Sequence, residues 1–265
     1  MKLILTGAKG NLGRHIRKNT ESEIFPVSRA DWVTLDKIKA DQYQAIIHCA
    51  YDLKNNLHSS FESVLDSNVL TTARALRICK EKGIPKFIFI SSCSVYGNST
   101  NTDEDSHCSP ITMNGFIKLF NEELIKSYCI KNNINFLILR AFNSYGGFDS
   151  FSVVQKIIDC AKNNKNFTLY NDGISERDFI HINDLAKIVC MLYEMDIQNE
   201  IINIGSGSSV KIIEILRHVE LKFGKFEVKK SYNDSEILYS RANLTKINNL
   251  IDYRYINLLE YISDL

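Results

Sequence analysis

Short apolar runs alternate with longer amphipathic segments along the first half of the chain. Each run has five or six residues, mainly β-branched, aromatic or leucine, which is typical of strands buried on both faces. These runs predict strands at 2–6, 24–28, 45–50, 86–91 and 135–140. The segments between them carry apolar residues at helical spacing and predict helices at 12–19, 61–82 and 113–131, with a small helix near 35–39.

The regular order of strand, helix and strand predicts the α/β fold class. Parallel strands joined by right-handed helical crossovers form a doubly wound sheet that carries helices on both faces. The second half of the chain is less regular. It predicts helices near 151–162, 183–194 and 210–223, and strands near 167–170, 201–204 and 226–229.

A glycine-rich turn follows the first predicted strand. The segment Gly7–Gly13 has the pattern G-x-x-G-x-x-G and opens the first helix. Gly7 permits the tight turn, Gly10 lets the backbone approach a pyrophosphate, and Gly13 lets helix and strand pack closely. The helix N-terminus offers free N–H groups to the phosphates. This context favours a dinucleotide site at Gly7, Gly10, Asn11, Leu12 and Gly13 over a merely glycine-rich turn.

We therefore expect two parts in the chain. Residues 1–145 are predicted to form a Rossmann NAD(P)-binding domain, and 146–265 mainly a smaller C-terminal substrate-binding lobe. A return of the chain to the first domain around 175–205 is left open.

The end of the second strand bears on the choice of cofactor. A carboxylate there would accept the ribose 2′-hydroxyl of NAD, whereas a basic residue suits the 2′-phosphate of NADP. The strand runs into Arg29, and the first carboxylate is that of Asp31. Arg29 can bind a phosphate through charge-assisted hydrogen bonds, although a solvated surface arginine is the alternative. The sequence favours NADP(H), with NAD(H) as the second choice.

Charge, cysteine content and the length of the apolar runs limit the partners, metal sites and membrane segments that the sequence allows. The chain has 32 Lys and Arg against 31 Asp and Glu, a formal charge of +1, which argues against a nucleic-acid partner. Its seven cysteines show no C-x-x-C spacing and predict reduced thiols in a cytoplasmic protein. Histidines and cysteines do not cluster, so no metal site is expected. No apolar run is long enough for a signal peptide or a membrane span.

Several separated segments, taken together, resemble one known family. They are Ile47–Ala50, Asn68, Phe89–Gly97 (FISSCSVYG), Leu139–Gly146 (LRAFNSYG), Arg177–Asp184 (RDFIHIND), Asn203–Gly205 and Ser240–Asn243. In this order they resemble the motifs of the extended short-chain dehydrogenases/reductases, specifically the nucleotide-sugar epimerases, dehydratases and reductases. The resemblance covers nearly the whole chain.

The resemblance implies where cofactor and substrate bind. At the cofactor it implies Cys49, Ala50, Tyr51, Asn68 and Lys118. At a nucleotide-linked sugar it implies Ser92, Cys93, Ser94, Tyr96, Asn143, Arg177 and Arg241, with Ser92 bonding the oxygen that is oxidised or reduced and the two arginines pairing with the diphosphate. For Arg177 a structural ion pair with Glu176 or Asp178 is the alternative. Asp184 is favoured as a residue of a helix N-terminus over a catalyst, because an apolar helical run follows it. The same matching favours a packed or hydrogen-bonded His181 over a base.

One position departs from the family pattern. The family's chemistry depends on Y-x-x-x-K, in which the tyrosine exchanges a proton and the lysine binds the nicotinamide ribose. Lys118 and Glu122 match the pattern, but the tyrosine position holds Asn114, and none of the twelve tyrosines has a lysine four residues later. Asparagine cannot exchange a proton near neutral pH. The catalytic candidates are thus Ser92, Asn114 and Lys118.

Three interpretations of this departure stay open. The protein is an oxidoreductase whose proton relay uses Ser92, a water, or a displaced side chain such as Tyr96 or Cys93. Alternatively, it binds cofactor and sugar nucleotide without turnover, as a sensor or partner subunit. Thirdly, it is a slow, degenerate enzyme. The first is favoured, because the inverting 4,6-dehydratases are similar in lacking the tyrosine while keeping the lysine.

The type of reaction is narrowed further by the resemblance. Cys93 and Ser94 stand where the family's dehydratases have Asp and Glu, which disfavours 4,6-dehydration. Reduction of a keto group is favoured slightly over epimerisation, given the short chain and the preference for NADP(H). The product would suit polysaccharide biosynthesis. The family also implies a homodimer formed by the helices at 61–82 and 113–131.

Overall fold

A computed structural model describes residues 2–28, 32, 38, 42–52 and 60–265. Arg29, Asp31 and most of the small helix predicted near 35–39 lie outside the described residues.

Strands and helices alternate along the chain. The strands are β1 Lys2–Thr6, β2 Glu23–Val27, β3 Ala45–His48, β4 Lys86–Ser92, β5 Ser99–Thr102, β6 Asn135–Ala141, β7 Asn143–Tyr145, β8 Phe167–Tyr170, β9 Glu176–His181, β10 Glu200–Ile204, β11 Ser209–Lys211, β12 Val228–Ser231 and β13 Tyr239–Ala242. The helices are α1 Asn11–Asn19, α2 Phe61–Leu65, α3 Thr71–Glu81, α4 Met113–Lys131, α5 Val153–Lys162, α6 Ile182–Glu194, α7 Ile212–Phe223, α8 Thr245–Asn248 and α9 Leu258–Ser263. A π-helical turn, Asp66–Leu70, joins α2 to α3.

The main sheet has six strands in the order β10-β6-β4-β3-β1-β2. Every neighbouring pair in it is parallel. The doubly wound α/β prediction is therefore confirmed. The strand β10 comes from the second half of the chain and completes the edge beside β6.

Both faces of this sheet are buried, which explains the continuous apolar runs. Side chains alternate along a strand, so Leu3 and Leu5 pack on one face with α1 and α6, whereas Ile4 packs on the other with α3 and α4. No helix among the described residues is long and apolar enough to cross a membrane.

A second sheet lies in the less regular part of the fold. Its strands are ordered β11-β9-β13-β5, and β7 pairs with β9. Two further strands, β12 and β8, pair with each other. The apolar side chains of α5, α7 and α9 form a separate core with Tyr145 and Phe179. The sequence did not predict these five strands of the second sheet, because they are only three to six residues long and largely polar.

Candidate active site

The glycine-rich turn brings α1 against the end of β1. Gly7 has a φ of +70°, a conformation that favours glycine. A Cβ at Gly13 would lie 2.3 Å from the Gly7 carbonyl oxygen, so only glycine allows this approach. Gly10 precedes α1 and provides no side-chain cap, and the first turn of α1 holds no acidic residue. The helix N-terminus thus keeps N–H groups for an anion.

A cavity of about 730 Å³ opens in front of this turn. Gly7 and Gly10 line it together with Cys49, Ala50 and Tyr51, which follow β3. The cavity lies at the carboxyl ends of parallel strands, where doubly wound sheets bind ligands. Its volume is in the range of small-molecule and cofactor sites. The uncapped helix end and the glycine backbone fit a dinucleotide phosphate.

Three further residues predicted at the cofactor, Asn11, Leu12 and Asn68, make contacts with other parts of the protein. Asn11 donates from Nδ2 to the Gly146 carbonyl (3.0 Å) and accepts from the Phe148 N–H (2.9 Å), so it connects α1 to the loop after β7. Leu12 packs on the core. The Asn68 side chain is fully buried in the π-helical turn, where its Oδ1 accepts from the Asp52 N–H at 2.7 Å. Asn68 therefore holds the backbone that lines the cavity.

Lys118 lies in a buried position on α4. Its Nζ donates to the Ile90 carbonyl at 2.7 Å and lies 4.0 Å from the ring centre of Tyr51 and 4.7 Å from that of Phe89. Burial lowers the pKa of Lys118 to about 7. Lys118 is therefore a group that can exchange a proton near neutral pH.

Ser92, Ser94 and Asn114 form a chain of hydrogen bonds beside Lys118. The Ser92 Oγ accepts from the Ser94 N–H (3.2 Å) and from the Ser94 hydroxyl (3.0 Å), and Asn114 donates from Nδ2 to the Ser94 Oγ (3.1 Å). Gly115 allows α4 to approach Ser94 closely, because a Cβ at this position would lie 2.4 Å from the Ser94 carbonyl oxygen. The structure thus brings the three catalytic candidates to one place at the carboxyl end of β4.

Tyr96 and Cys93 have properties that do not suit a proton relay. The buried Tyr96 hydroxyl donates to Asn203 Oδ1 (2.7 Å) and accepts from Arg140 Nη1 (2.8 Å). Burial raises the pKa of Tyr96. Burial also raises the pKa of the Cys93 thiol, although hydrogen bonds from Ser240 and Ser92 oppose part of this effect. Cys93 therefore stays protonated at neutral pH, and the thiolate is the reactive form.

A buried ion pair connects β6 to α4, the helix that carries Lys118. The sequence did not predict this pair. Arg140 contacts Glu122 through Nη2 and Oε2 at 2.8 Å, and Ser91 also donates to Glu122. The signal in the sequence was an arginine at the end of a buried strand pattern. Its partner is 18 residues away in sequence, on the same helix as Lys118.

A second cavity, of about 400 Å³, lies between α5 and β8. Arg177 and Glu236 both line it, and Arg177 Nη2 lies 3.5 Å from Glu236 Oε1. Neither of the two expected partners, Glu176 and Asp178, supplies its carboxylate to Arg177. The Asp178 carboxylate instead accepts from the N–H groups of Ser206, Gly207 and Ala242.

Asn143 and Arg241 are also substrate candidates, but they occupy different surroundings. Asn143 donates from Nδ2 to the Asp178 carbonyl at 2.8 Å. Arg241 is exposed, whereas Ser240 before it is buried and is the register partner of Arg177. Arg241 lines another cavity with Thr100, and the pairing of β13 with β5 is irregular between Ser240 and Ala242. The two arginines thus line different cavities.

His181 and Asp184 have structural contacts at the start of α6. His181 precedes the helix and accepts from the Asn183 N–H at 3.3 Å. Asp184 accepts from the Tyr253 hydroxyl (2.9 Å) and the Ile256 N–H (2.7 Å). Among the residues that the structure describes, no group of three His, Cys, Asp or Glu side chains could hold a metal ion.

Comparison with known proteins agrees with this geometry. The model of the NAD dependent epimerase/dehydratase family matches residues 3–205. The chain belongs to the NAD-dependent epimerase/dehydratase family. The match begins in β1 and ends just after β10, so it spans the glycine turn, the serine segment and Lys118.

The individual relatives of this chain are named for different reactions. A Methanocaldococcus jannaschii protein named "Putative UDP-glucose 4-epimerase" is 30% identical over 231 residues, which are 83% of this chain and 72% of that protein. A dTDP-4-dehydro-6-deoxy-D-allose reductase of Streptomyces bikiniensis is 24% identical, with 85% and 82% covered. The Thermus thermophilus UDP-glucose 4-epimerase structure in complex with NAD superposes with a TM-score of 0.89 at 18% identity, with 99% and 97% covered.

Proposed function

We propose that this protein is an NAD(P)-dependent oxidoreductase that acts on a nucleotide-linked sugar, most simply by reducing a keto group. The observation that carries the proposal is the contact of Lys118 with Tyr51, a residue that lines the cavity at the uncapped N-terminus of α1. Asn114, on the same helix as Lys118, is joined to Ser92 through Ser94. Family membership supports the same class of substrate. Epimerisation by transient oxidation uses the same groups and is the close variant.

In this proposal, separate groups of residues bind the cofactor and the substrate. Backbone N–H groups of Gly7–Gly13 bind the cofactor pyrophosphate, and Lys118 lies where the nicotinamide ribose is expected. When bound, the nicotinamide supplies or takes up the hydride that is exchanged with the sugar carbon. Ser92 hydrogen-bonds the sugar oxygen and relays the proton that this oxygen gains or loses, with water as the source or sink of that proton. Arg177, balanced by Glu236 in the second cavity, binds the substrate diphosphate.

A preference for NADP(H) is part of this proposal. The strand β2 ends at Val27 and is followed by Ser28, and neither residue carries a carboxylate for the ribose 2′-hydroxyl. Arg29 is the side chain that would bind a 2′-phosphate.

The proposal also includes a homodimer. The segments α2 to α4 carry exposed large apolar side chains, namely Phe61, Leu70, Met113, Phe116 and Phe120. Exposed apolar patches on a water-facing surface are typical of interaction sites. Because α3 packs beside α4, two copies of this face would form a four-helix interface.

The test is a mixture of purified protein with NADPH or NADH and UDP-, dTDP- and GDP-linked 4-keto-6-deoxy sugars. Absorbance at the reduced nicotinamide band and the sugar mass are followed together. We expect oxidation of the cofactor with a gain of two hydrogens by the sugar. Oxidation of NADPH without a change in sugar mass would contradict the proposal.

Asn114 supports one other candidate, a protein that binds cofactor and sugar nucleotide without turnover. An asparagine cannot replace a phenol as an acid, and a positioned acid or base typically contributes ~10²–10⁴ in rate. Cofactor binding without turnover, together with activity in Asn114→Tyr, would establish this candidate over the reductase.

A further inference from the structure

The hydrogen bonds around Ser92 have a definite direction. A hydroxyl has one donor proton and two acceptor lone pairs. The Ser92 Oγ accepts from both the N–H and the hydroxyl of Ser94, at 3.2 and 3.0 Å. Both of its acceptor sites are therefore used, and its own proton is left to donate elsewhere.

Asn114 fixes the direction of this chain at its other end. Its Nδ2 donates to the Ser94 Oγ at 3.1 Å, so Ser94 accepts from Asn114 and passes its own proton toward Ser92. The proton of the Ser92 hydroxyl is therefore directed away from Ser94, where a ligand carbonyl can accept it.

The amide oxygen of the Asn114 side chain is also informative. Its Oδ1 is buried and has no hydrogen-bond partner among the described residues. A buried acceptor without a partner destabilises the protein, and a ligand hydroxyl would remove this cost. The site therefore offers one donor, at Ser92, and one acceptor, at Asn114.

We infer that Asn114 is a positioning residue that acts through Ser94 to hold the Ser92 hydroxyl as a donor to a sugar carbonyl, while its Oδ1 accepts from a sugar hydroxyl. The substrate class is a hydroxylated keto sugar. This inference rests on the proposed function. In it, the family's tyrosine is replaced by an oriented donor that stabilises charge on the carbonyl oxygen.

The hydrogen-bond chain can be tested in the free protein, without any turnover. In ¹⁵N-labelled protein, Ser94→Ala should move the Asn114 side-chain amide protons upfield and speed their exchange with water. The side-chain amide of Asn132, which donates to the Tyr128 carbonyl at 2.7 Å on the far end of α4, should not change. An unchanged Asn114 signal overturns the inference.

Kinetics test the consequence for the carbonyl, with dTDP- and UDP-linked 4-keto-6-deoxy-D-glucose as probes. The carboxylate introduced by Asn114→Asp can only accept, so it would turn the Ser94 hydroxyl away from Ser92. We expect kcat to fall at least about tenfold in both Asn114→Asp and Ser94→Ala, short of the ~10²–10³ typical of deleting a whole donor. Ser94→Thr should restore part of the loss.

Controls separate positioning from damage to the fold. Asn132→Asp makes the same chemical change on α4 and should leave kcat unchanged. The double variant Asn114→Ala with Ser94→Ala should lose no more kcat than Asn114→Ala alone, because Ser94 acts only through the hydrogen-bond chain that Asn114 fixes. Additive losses, or an increase in KM alone, overturn the inference. Absence of cofactor binding and turnover in the unaltered protein would instead overturn the proposed function, and the amide signals would still decide the hydrogen-bond chain.

Discussion

The Lys118 ammonium lies 4.0 Å from the centre of the Tyr51 ring and 2.7 Å from the Ile90 carbonyl oxygen. Tyr51 follows β3 and lines the large cavity, whereas Lys118 is buried on α4. The contact therefore joins the cofactor side of the site to the helix that carries Asn114. A cation over an aromatic face is stabilised by the ring quadrupole, and this offsets part of the cost of burying the charge.

Lys118 should make stability depend on pH. Its pKa is about 7 in the fold and 10.5 ordinarily, so between these values the unfolded chain binds more protons. The free energy of unfolding should then rise with pH across this window, with a slope of up to about 1.4 kcal/mol per pH unit. In Lys118→Met this contribution should vanish, as measured by urea unfolding from pH 7 to 10. Lys126→Met, at the surface of α4, should keep the slope, and the same pH dependence in both variants would contradict the assignment.

Two adjacent glutamates on α4 should differ sharply in their effect on stability. Glu122 is fully buried against Arg140, whereas Glu123 is exposed and pairs with Lys126. Breaking a buried pair leaves an uncompensated charge and costs ~3–5 kcal/mol. We expect a loss of that size for Glu122→Gln and at most about 1 kcal/mol for Glu123→Gln, measured by urea unfolding. Equal losses would show that the buried Glu122–Arg140 pair stabilises the fold no more than the surface pair does.

Gly13 should be needed for cofactor binding. A Cβ there would meet the Gly7 carbonyl oxygen and two backbone atoms of Ala8, so Gly13→Ala must push α1 away from the turn. We expect the cofactor Kd to rise at least about tenfold, which is a loss of about 1.4 kcal/mol. Gly224→Ala provides the control, since its Cβ would meet nothing within 4 Å although its φ is +92°. It should cost some stability and leave the cofactor Kd unaltered.

Trp32 should report cofactor binding directly. It is the single tryptophan of the chain and lines the large cavity. Bound NADPH or NADH should quench its fluorescence by energy transfer to the reduced nicotinamide, and titration gives both Kd values. Arg29→Ala should then reduce the preference for NADPH over NADH. If the ratio of the two Kd values stays constant, Arg29 does not bind the 2′-phosphate.

The exposed apolar face of α4 should control assembly. Phe116 and Phe120 are one helical turn apart and both exposed. In Phe116→Lys the proposed homodimer should dissociate to monomers at micromolar concentration, as measured by sedimentation velocity. Leu221→Lys alters an even more exposed residue on α7 and should leave the mass unchanged. A monomeric unaltered protein would refute the homodimer.

The sequence predicted the main sheet well because burial on both faces leaves a clear pattern. It also predicted α4 over its full length from the helical spacing of its apolar residues, and in the structure Thr112 caps the helix by accepting from the Gly115 N–H. The second sheet could not be predicted in this way. Its strand β5 reads STNT, in which only Thr102 is buried, so neither apolar content nor alternation distinguishes it from a loop.

The site was predictable where local spacing determines geometry and not where pairing between distant strands does. The glycine turn is one continuous segment, and Asn114 and Lys118 are one helical turn apart, so their positions follow from the sequence. Arg241 and Arg177 depend on the register of β13 against β9, which puts Ser240 beside Arg177. A shift of one residue moves a side chain to the opposite face.

The strand β10 has a consequence for how this chain can evolve. Its neighbours along the chain, β9 and β11, belong to the second sheet, whereas β10 closes the edge of the main one. A fragment that stops at residue 145 would lack both β10 and α6, leaving the edge of β6 unpaired and one face of the sheet covered only in part, by α1. A single fusion after residue 145 must therefore supply its own edge strand and covering helix. Exchange of the second sheet between relatives, with β10 and α6 kept, needs at least two crossover points.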